Sequence, residues 1–295
     1  MIQVKYNQTE TKGGWWQLNG DNSITYKEIS RLEEVAKVVS LQSHIWSQDS
    51  VTPLAQLVAS IKNGGVIIGS FEKNQLIGFC YGFAGVKEGN FYLVSHMAAV
   101  KSEYQNLGVG FQLKVKQREW ALAYGYQKMV WTYDPLEVRN GFFNLCKLGA
   151  YSKQYLPSYY GEMNDKLNRG LPSDRLLIEW DLSSKRVERA INGVNRLKKV
   201  NYQTWLNWEE HGGVPVPVER DVILNQKGFL VSSPLNIQEL KKSAPDVAKE
   251  WRFSLRKVMT EALSKGYIVT GIQKRHESLV HYYILEQKTV GDMND

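Results

Sequence analysis

Between Phe91 and Tyr124 the chain changes its repeat within about ten residues. Phe91 to Val100 reads as a strand. The stretch Glu103-Tyr104-Gln105-Asn106-Leu107-Gly108-Val109-Gly110 follows, and a helix then runs to about Tyr124, where Gly125 stops it. A strand that passes through a two-glycine loop straight into a helix constrains the fold strongly, because the helix must fold back over the sheet its strand belongs to. The helix start also presents unpaired backbone N–H groups and the positive end of the helix dipole, which suits phosphate oxygens. Glycine belongs there because a Cβ would hold a phosphate away from the backbone. Val109, Leu113, Trp120 and Tyr124 mark one apolar face of this helix, and Phe111, Val115 and Leu122 the opposite one, so it should be covered on both sides. Leu113 stands where a dinucleotide fingerprint needs its third glycine, and the Gly-Lys-Ser/Thr of a P-loop is absent. On these residues alone, an ordinary glycine-assisted turn remains open beside a phosphate site.

The elements around this junction describe a mixed α/β layer structure. Ile24 to Ile29 is a short strand. Ser30 and Glu33 form a capping-box pattern, and the helix after them carries Leu32, Val35, Ala36, Val39 and Trp46 on one stripe. A second helix is expected from Pro53 to Asn63, then strands over Val66–Phe71 and Leu76–Ala84. Beyond the junction come a strand over Lys128–Tyr133, a short helix over Asn140–Leu148, and strands over Tyr151–Tyr160 and Arg175–Leu182. A domain boundary is expected near Ser183, giving domains 1–183 and 184–295. In the second, Pro215 and Pro217 read as an irregular segment. A strand at Phe229–Ser232, a helix from Asp246 to Gly266, and strands at Tyr267–Ile272 and His281–Leu285 make it a smaller α/β domain.

Composition excludes several classes. Residues 1–182 hold 19 Lys+Arg against 17 Asp+Glu and residues 183–295 hold 18 against 13, so the formal charge of +7 divides as +2 and +5. The charges are dispersed, which reads as a solvated surface more than a nucleic-acid footprint. Two distant cysteines, Cys80 and Cys146, give neither a disulfide framework nor metal-ligand spacing. His44, His211, His276 and His281 likewise show no ligand spacing, so no metal is expected. No run approaches the ~20 apolar residues of a membrane span, and Met1 to Gly20 lacks a signal-peptide pattern, so a cytoplasmic location is expected.

Gln105-x-x-Gly108-x-Gly110 resembles the Q/R-x-x-G-x-G/A pyrophosphate loop of the GNAT acetyltransferase superfamily, between its fourth strand and third helix. The order of elements from Ile24 to about Tyr160 is similar as well. Trp131 to Leu136, Arg139-Asn140, Phe143-Asn144 and Lys147-Leu148-Gly149-Ala150 resemble a poorly characterised prokaryotic branch of that superfamily. The resemblance implies the GNAT mixed sheet with flanking helices and acetyl-CoA as cosubstrate. It further implies that Gln105, Asn106, Leu107, Gly108, Val109 and Gly110 hold the CoA pyrophosphate. Met97, Ala98, Ala99 and Val100 would pair with pantetheine, with a bulge there exposing an N–H to the acyl carbonyl, and Asn140 and Phe143 would line the pantetheine arm.

The implied reaction is direct transfer of an acetyl or short acyl group from CoA to a primary amine, on a small molecule or a protein N-terminus. His96, nine residues before Gln105, stands at the offset of a fourth-strand base in the arylalkylamine N-acetyltransferases, and an imidazole suits proton transfer near neutrality. A packed strand histidine is the competing reading. Leu145 occupies the place where many members carry a tyrosine acid, which leaves Tyr151 and Tyr159 among the tyrosines that follow as candidates. Cys146 has no nearby histidine to support a covalent route. An aminoacyl-tRNA-dependent transferase and a non-catalytic CoA-binding or partner-binding protein remain alternatives. Nucleic acid and membranes are not expected as partners, and a homodimer is left open.

Overall fold

The computed structural model of the protein describes residues 8–11, 15–18, 24–46, 51–163, 169–194, 199–223, 226–275, 277–288 and 291. His276 lies outside them. The chain divides into two compact units, residues 1–129 and 130–295.

The first unit contains β1 (Gln8–Thr11), β2 (Trp15–Leu18), β3 (Thr25–Glu28), α1 (Leu32–Ile45), α2 (Leu54–Lys62), β4 (Val66–Glu72), β5 (Gln75–Lys87), β6 (Asn90–Val100) and α3 (Val109–Tyr124). Its strands run in the order β1-β2-β3-β4-β5-β6, each antiparallel to the next. Period-2 alternation sends Phe79, Tyr81, Met97 and Ala99 to one face, where Val35, Val38 and Leu41 of α1 and Leu57 of α2 join them in one core. The sheet's other face meets α3, where the Cys80 thiol donates to the Leu113 carbonyl. Val109 and Leu113 on one side of α3 and Val115 on the other are all buried, the two-sided cover expected of it. Tyr124 is the exception and is exposed.

The start of α1 corrects the sequence reading. Arg31 is the N-cap and makes no side-chain cap bond, so Ser30 stands outside the helix and no capping box forms. The later start rotates the buried stripe onto Glu34, Val35, Val38, Leu41 and Gln42 and leaves Leu32 exposed. Glu34 turns instead to Lys27, with Arg31 3.6 Å away. A carboxylate matched by a lysine from β3 outweighs a cap that satisfies only one or two backbone donors.

The second unit contains the last four residues of β7 (Lys128–Tyr133), α4 (Val138–Phe142) with a π-helical turn over Phe143–Lys147, β8 (Tyr151–Leu156), β9 (Arg175–Asp181), α5 (Lys185–Ile191), β10 (Gln203–His211), β11 (Val214–Glu219), β12 (Gly228–Pro234), α6 (Ile237–Ser243), α7 (Pro245–Ser264), β13 (Tyr267–Gln273) and β14 (Val280–Gln287). The strand order is β7-β9-β8-β13-β14-β12-β10-β11, with β10 and β12 parallel and the pairs β9–β8, β8–β13, β13–β14, β14–β12 and β10–β11 antiparallel. The boundary expected near Ser183 falls inside this unit. There the Ser184 hydroxyl caps α5 by accepting from the Val187 amide.

Pro215 and Pro217, expected in an irregular segment, lie in the edge strand β11 opposite Glu210 and Trp208. Prolines two residues apart lose their donors on the same side of a strand, so Val214, Val216 and Val218 can still donate toward β10. The same prolines blunt an edge that would otherwise invite further pairing. The helix expected over Asn140–Leu148 changes at Phe143 to a π turn, and the strand expected to reach Tyr160 stops at Leu156, before Pro157. α7 buries Trp251, Leu255, Val258, Met259 and Ala262 against the sheet, and the Trp251 indole donates to the Pro215 carbonyl.

Candidate functional site

The junction after β6 is built as a helix start without a side-chain cap. A 3-10 turn over Ser102–Tyr104 leaves the strand, and the Tyr104 hydroxyl anchors it by donating to Glu72 at 2.6 Å. The Gln105 amide reaches back to the Val100 carbonyl at 3.3 Å, closing the loop on the strand it left. Gly108 is the N-cap of α3 with φ +82°, a left-handed conformation that glycine adopts without strain. Gly110 has no such requirement. Its reason is space: a Cβ there would meet only the Val100 methyl at 3.9 Å, so any larger side chain would occupy the opening before the helix start. No acidic residue lies in the first turn of α3. Open amides, a positive dipole end and room for an oxyanion therefore coincide, and a phosphate-bearing cosubstrate fits the residues present.

Twelve residues before Gly108 the strand is bent. Tyr81 pairs with Met97 and Gly82 with Ser95, so His96 is one residue too many for its partner strand and forms a β-bulge. The bulge expected at Met97–Val100 is thus centred one residue earlier. It breaks the alternation, so that His96 and Met97 both turn toward α2, while Ser95 turns toward α3. On the α3 side the Ser95 hydroxyl donates to Gln117 at 2.7 Å, and the Lys114 ammonium donates to Ser95 at 2.7 Å and to Gln117 at 3.2 Å. These three buried polar residues hold the bulge from beneath. Burial lowers Lys114 to about 7.

On the other side His96 opens into a cavity of about 440 Å³ between α2 and the sheet. Its ring sits edge-on to Tyr81 (centroids 6.2 Å apart) and Phe83 (5.7 Å). Contact with these rings removes water from one part of the imidazole while the rest is exposed, and this desolvation lowers its pKa. The neutral base is therefore the form favoured at neutral pH. The Tyr81 hydroxyl donates to Ser60 Oγ at 2.6 Å, and Ser60 donates to the Gln56 carbonyl at 2.8 Å. Burial raises the Tyr81 pKa. The Thr52 hydroxyl donates to Met97 Sδ at 3.2 Å, tying the start of α2 to the strand.

Sequence reasoning missed Tyr81, Phe83, Ser60 and Thr52 as neighbours of His96. The available signal was alternation: Phe79, Tyr81 and Phe83 share a face of β5, and that face is the one α2 covers. The bulge carried no signal, because it is defined by the register of two strands.

The structure brings His96, Met97–Val100 and Gln105–Gly110 together within the first unit. The other expected site residues lie in the second. The Tyr151 hydroxyl is committed to Asp181 at 2.8 Å, and burial, with Asp181 and Glu179 beside it, raises its pKa strongly. Tyr159 is exposed, its ring edge against Tyr160. Asn140 is exposed on α4, Phe143 is half-buried at the π turn, and Leu145 is buried. Among the described residues no group of three His, Cys, Asp or Glu side chains is placed to hold a metal ion, and no helix is long and apolar enough to cross a membrane.

No family model matches the chain, nor does any curated protein. Solved structures do. The structural neighbours include GNAT-family acetyltransferases. An acetyltransferase of the GNAT family from Streptococcus pneumoniae is 14% identical over 53% of this chain and 97% of its own, with a TM-score of 0.42. Naa50 of Arabidopsis thaliana, in complex with the bisubstrate analogue CoA-Ac-MVNAL, is 12% identical over 53% and 97%, also at 0.42. An aminoglycoside 6′-N-acetyltransferase complexed with coenzyme A is 13% identical over 53% and 96%, at 0.41.

Proposed function

We propose that the protein is a GNAT-type N-acyltransferase that moves an acetyl or short acyl group from CoA directly to a primary amine. The observation that carries this reading is the spacing of two features on one strand. An uncapped, glycine-lined helix start follows the end of β6, and a bulge at His96, twelve residues before the Gly108 cap, aims an imidazole into a cavity. Residues Gln105 to Gly110 would hold the pyrophosphate through backbone N–H groups, and Met97 to Val100 would run beside the pantetheine. Acetyl-CoA, when bound, supplies an acyl group activated as a thioester.

The chain's own part is positioning and proton transfer. An acceptor amine reaches neutral pH as an ammonium ion and must lose a proton before its lone pair can form the new N–C bond. An imidazole nitrogen of His96, kept neutral by its aromatic neighbours, accepts that proton. Collapse of the tetrahedral adduct would break the C–S bond, and the departing thiolate would take up the second proton that the nitrogen loses, while His96 releases the first to solvent. Tyr81, whose hydroxyl stays protonated, stands with its ring centroid 6.2 Å from that of His96, and its Ser60 bond gives it a defined orientation. Residues 1–183 would carry the acyl-CoA chemistry.

Calorimetric titration with acetyl-CoA tests the donor side. The informative variant is Gly110→Trp rather than a change at Gly108, because residue 110 has ordinary helical geometry and the added indole meets open space. Micromolar binding by the wild type, lost by at least ~100-fold in a folded Gly110→Trp, is the expected result. A folded wild type that ignores acetyl-CoA would remove the transferase reading.

A further inference from the structure

The cavity beside His96 is lined by aromatic rings, small residues and neutral polar groups. Tyr81, Phe83 and Ala84 form its sheet side, and Ala59 and Ser60 face them from α2. Gln56, Asn63 and Thr52 supply the remaining polar atoms. Among the described residues that line it there is no carboxylate, and His96 is the one side chain able to carry a positive charge. That makes a poor host for several positive charges. A single ammonium can rest against the faces of Tyr81 or Phe83 and is discharged on reaction. A second or third ammonium would lose water with no anion to replace it, a cost that grows with each charge. An apolar body, by contrast, gains from covering the rings and alanines.

We infer that the cavity selects monoamines carried on an uncharged, apolar or aromatic body and discriminates against polyamines and other multiply charged amines. The inference rests on reading this cavity as the acceptor side of the proposed transferase. A volume near 440 Å³ accommodates a body of roughly one to two rings, within the usual range of small-molecule sites. Gln56 is exposed on α2 and lines the same cavity, so a carboxylate can be placed there without disturbing the core.

The test is a pair of titrations at fixed, near-physiological salt: 2-phenylethylamine and spermidine, each into the full chain, followed by calorimetry. The expected result is at least ten-fold tighter binding of 2-phenylethylamine. Ala59→Trp, which fills the cavity from an exposed helix position, should abolish that binding while leaving the melting temperature within a few degrees. Gln56→Glu should tighten spermidine by about ten-fold. Equal or tighter binding of spermidine by the wild type, no binding of 2-phenylethylamine, or unchanged binding in Ala59→Trp would each overturn the inference. Acetyl-CoA titrated into the same preparation separates the two readings. If it binds while the amine order is reversed, the selectivity falls and the transferase stands. If the amine order holds without acetyl-CoA binding, the transferase falls and the cavity's preference stands.

Discussion

At the residue scale the question is what a histidine gains from a bulge. In a regular strand His96 would face opposite to both Ser95 and Met97. The inserted residue lets Ser95 face Gln117 while His96 and Met97 both face α2. The environment then fixes the protonation state: desolvation by Tyr81 and Phe83 holds the imidazole pKa below its ordinary value of 6.5. A base with a lowered pKa stays competent as pH falls, so the acid limb of kcat/KM should lie below pH 6.5. His96→Ala should remove that limb and lower kcat by about 10²–10⁴-fold, with acetyl-CoA affinity unchanged. A pH–rate profile of the variant that keeps the wild-type limb would assign the proton transfer elsewhere. The same desolvation has a stability consequence of known sign. The unfolded chain takes up a proton at His96 more readily than the folded one, so this residue's contribution to folding diminishes as pH falls below 6.5.

At the element scale β6 and α3 act as one device. The strand carries the bulge, the helix carries Lys114 and Gln117 beneath it, and Gly108 and Gly110 stand where the loop between them enters the helix. Lys114 is the unusual member: burial lowers it from 10.5 to about 7. Between those two values the unfolded chain binds a proton at Lys114 that the folded chain has released. Stability should therefore rise with pH from about 7 to about 10.5, and that rise should be missing from Lys114→Met. Denaturant unfolding of both proteins at pH 7 and pH 9 measures it, and parallel pH dependences would show that Lys114 is not the group responsible. Gln117→Leu addresses the geometry. It removes the acceptor shared by Ser95 and Lys114, an expected cost of about 1–3 kcal/mol from buried donors left unmatched. Because Gln117 lies on the face of β6 opposite the cavity, its loss should reduce kcat with little change in acetyl-CoA affinity. A loss of stability with kcat intact would make the network purely structural.

At the scale of the whole chain, each of the two units holds its own buried polar network, and the second unit's is strongly ionic. Asp174 accepts from Arg256 at 2.6 and 2.8 Å, from the Tyr155 hydroxyl at 2.7 Å and from the Ser158 amide at 2.9 Å. Arg252, fully buried, pairs with Asp134. Burial alone would raise the Asp174 pKa, but the bonds from Arg256, Ser158 and Tyr155 prevail and leave it below its ordinary value of 3.8. Its contribution is thus present above about pH 4 and is lost as pH falls through the lower folded-state value. Asp174→Asn should destabilise at pH 7 by several kcal/mol, leaving Arg256 short of its partner, and the difference from wild type should shrink below pH 4. Melting curves at pH 7 and pH 3 check both parts.

What the sequence determined by itself was local. The strands over Val66–Glu72 and Lys128–Tyr133, the helix ended by Gly125 and the glycine loop were legible because period, cap and turn chemistry act between residues close along the chain. The left-handed turn at Gly108, on which the proposed phosphate site rests, was legible for the same reason. The failures share the opposite cause. Ser30 lost its cap to a Lys27–Glu34 pair reaching between a strand and a helix, and Pro215 and Pro217 entered a strand because that strand lies at an edge. The His96 bulge, the Ser60–Tyr81 bond and the buried Ser95–Lys114–Gln117 cluster are contacts between residues 19 to 22 positions apart or a register between two strands. Propensity and pattern carry no term for such pairings. They are decided when strands choose partners and helices choose faces, and only the tertiary structure makes that choice.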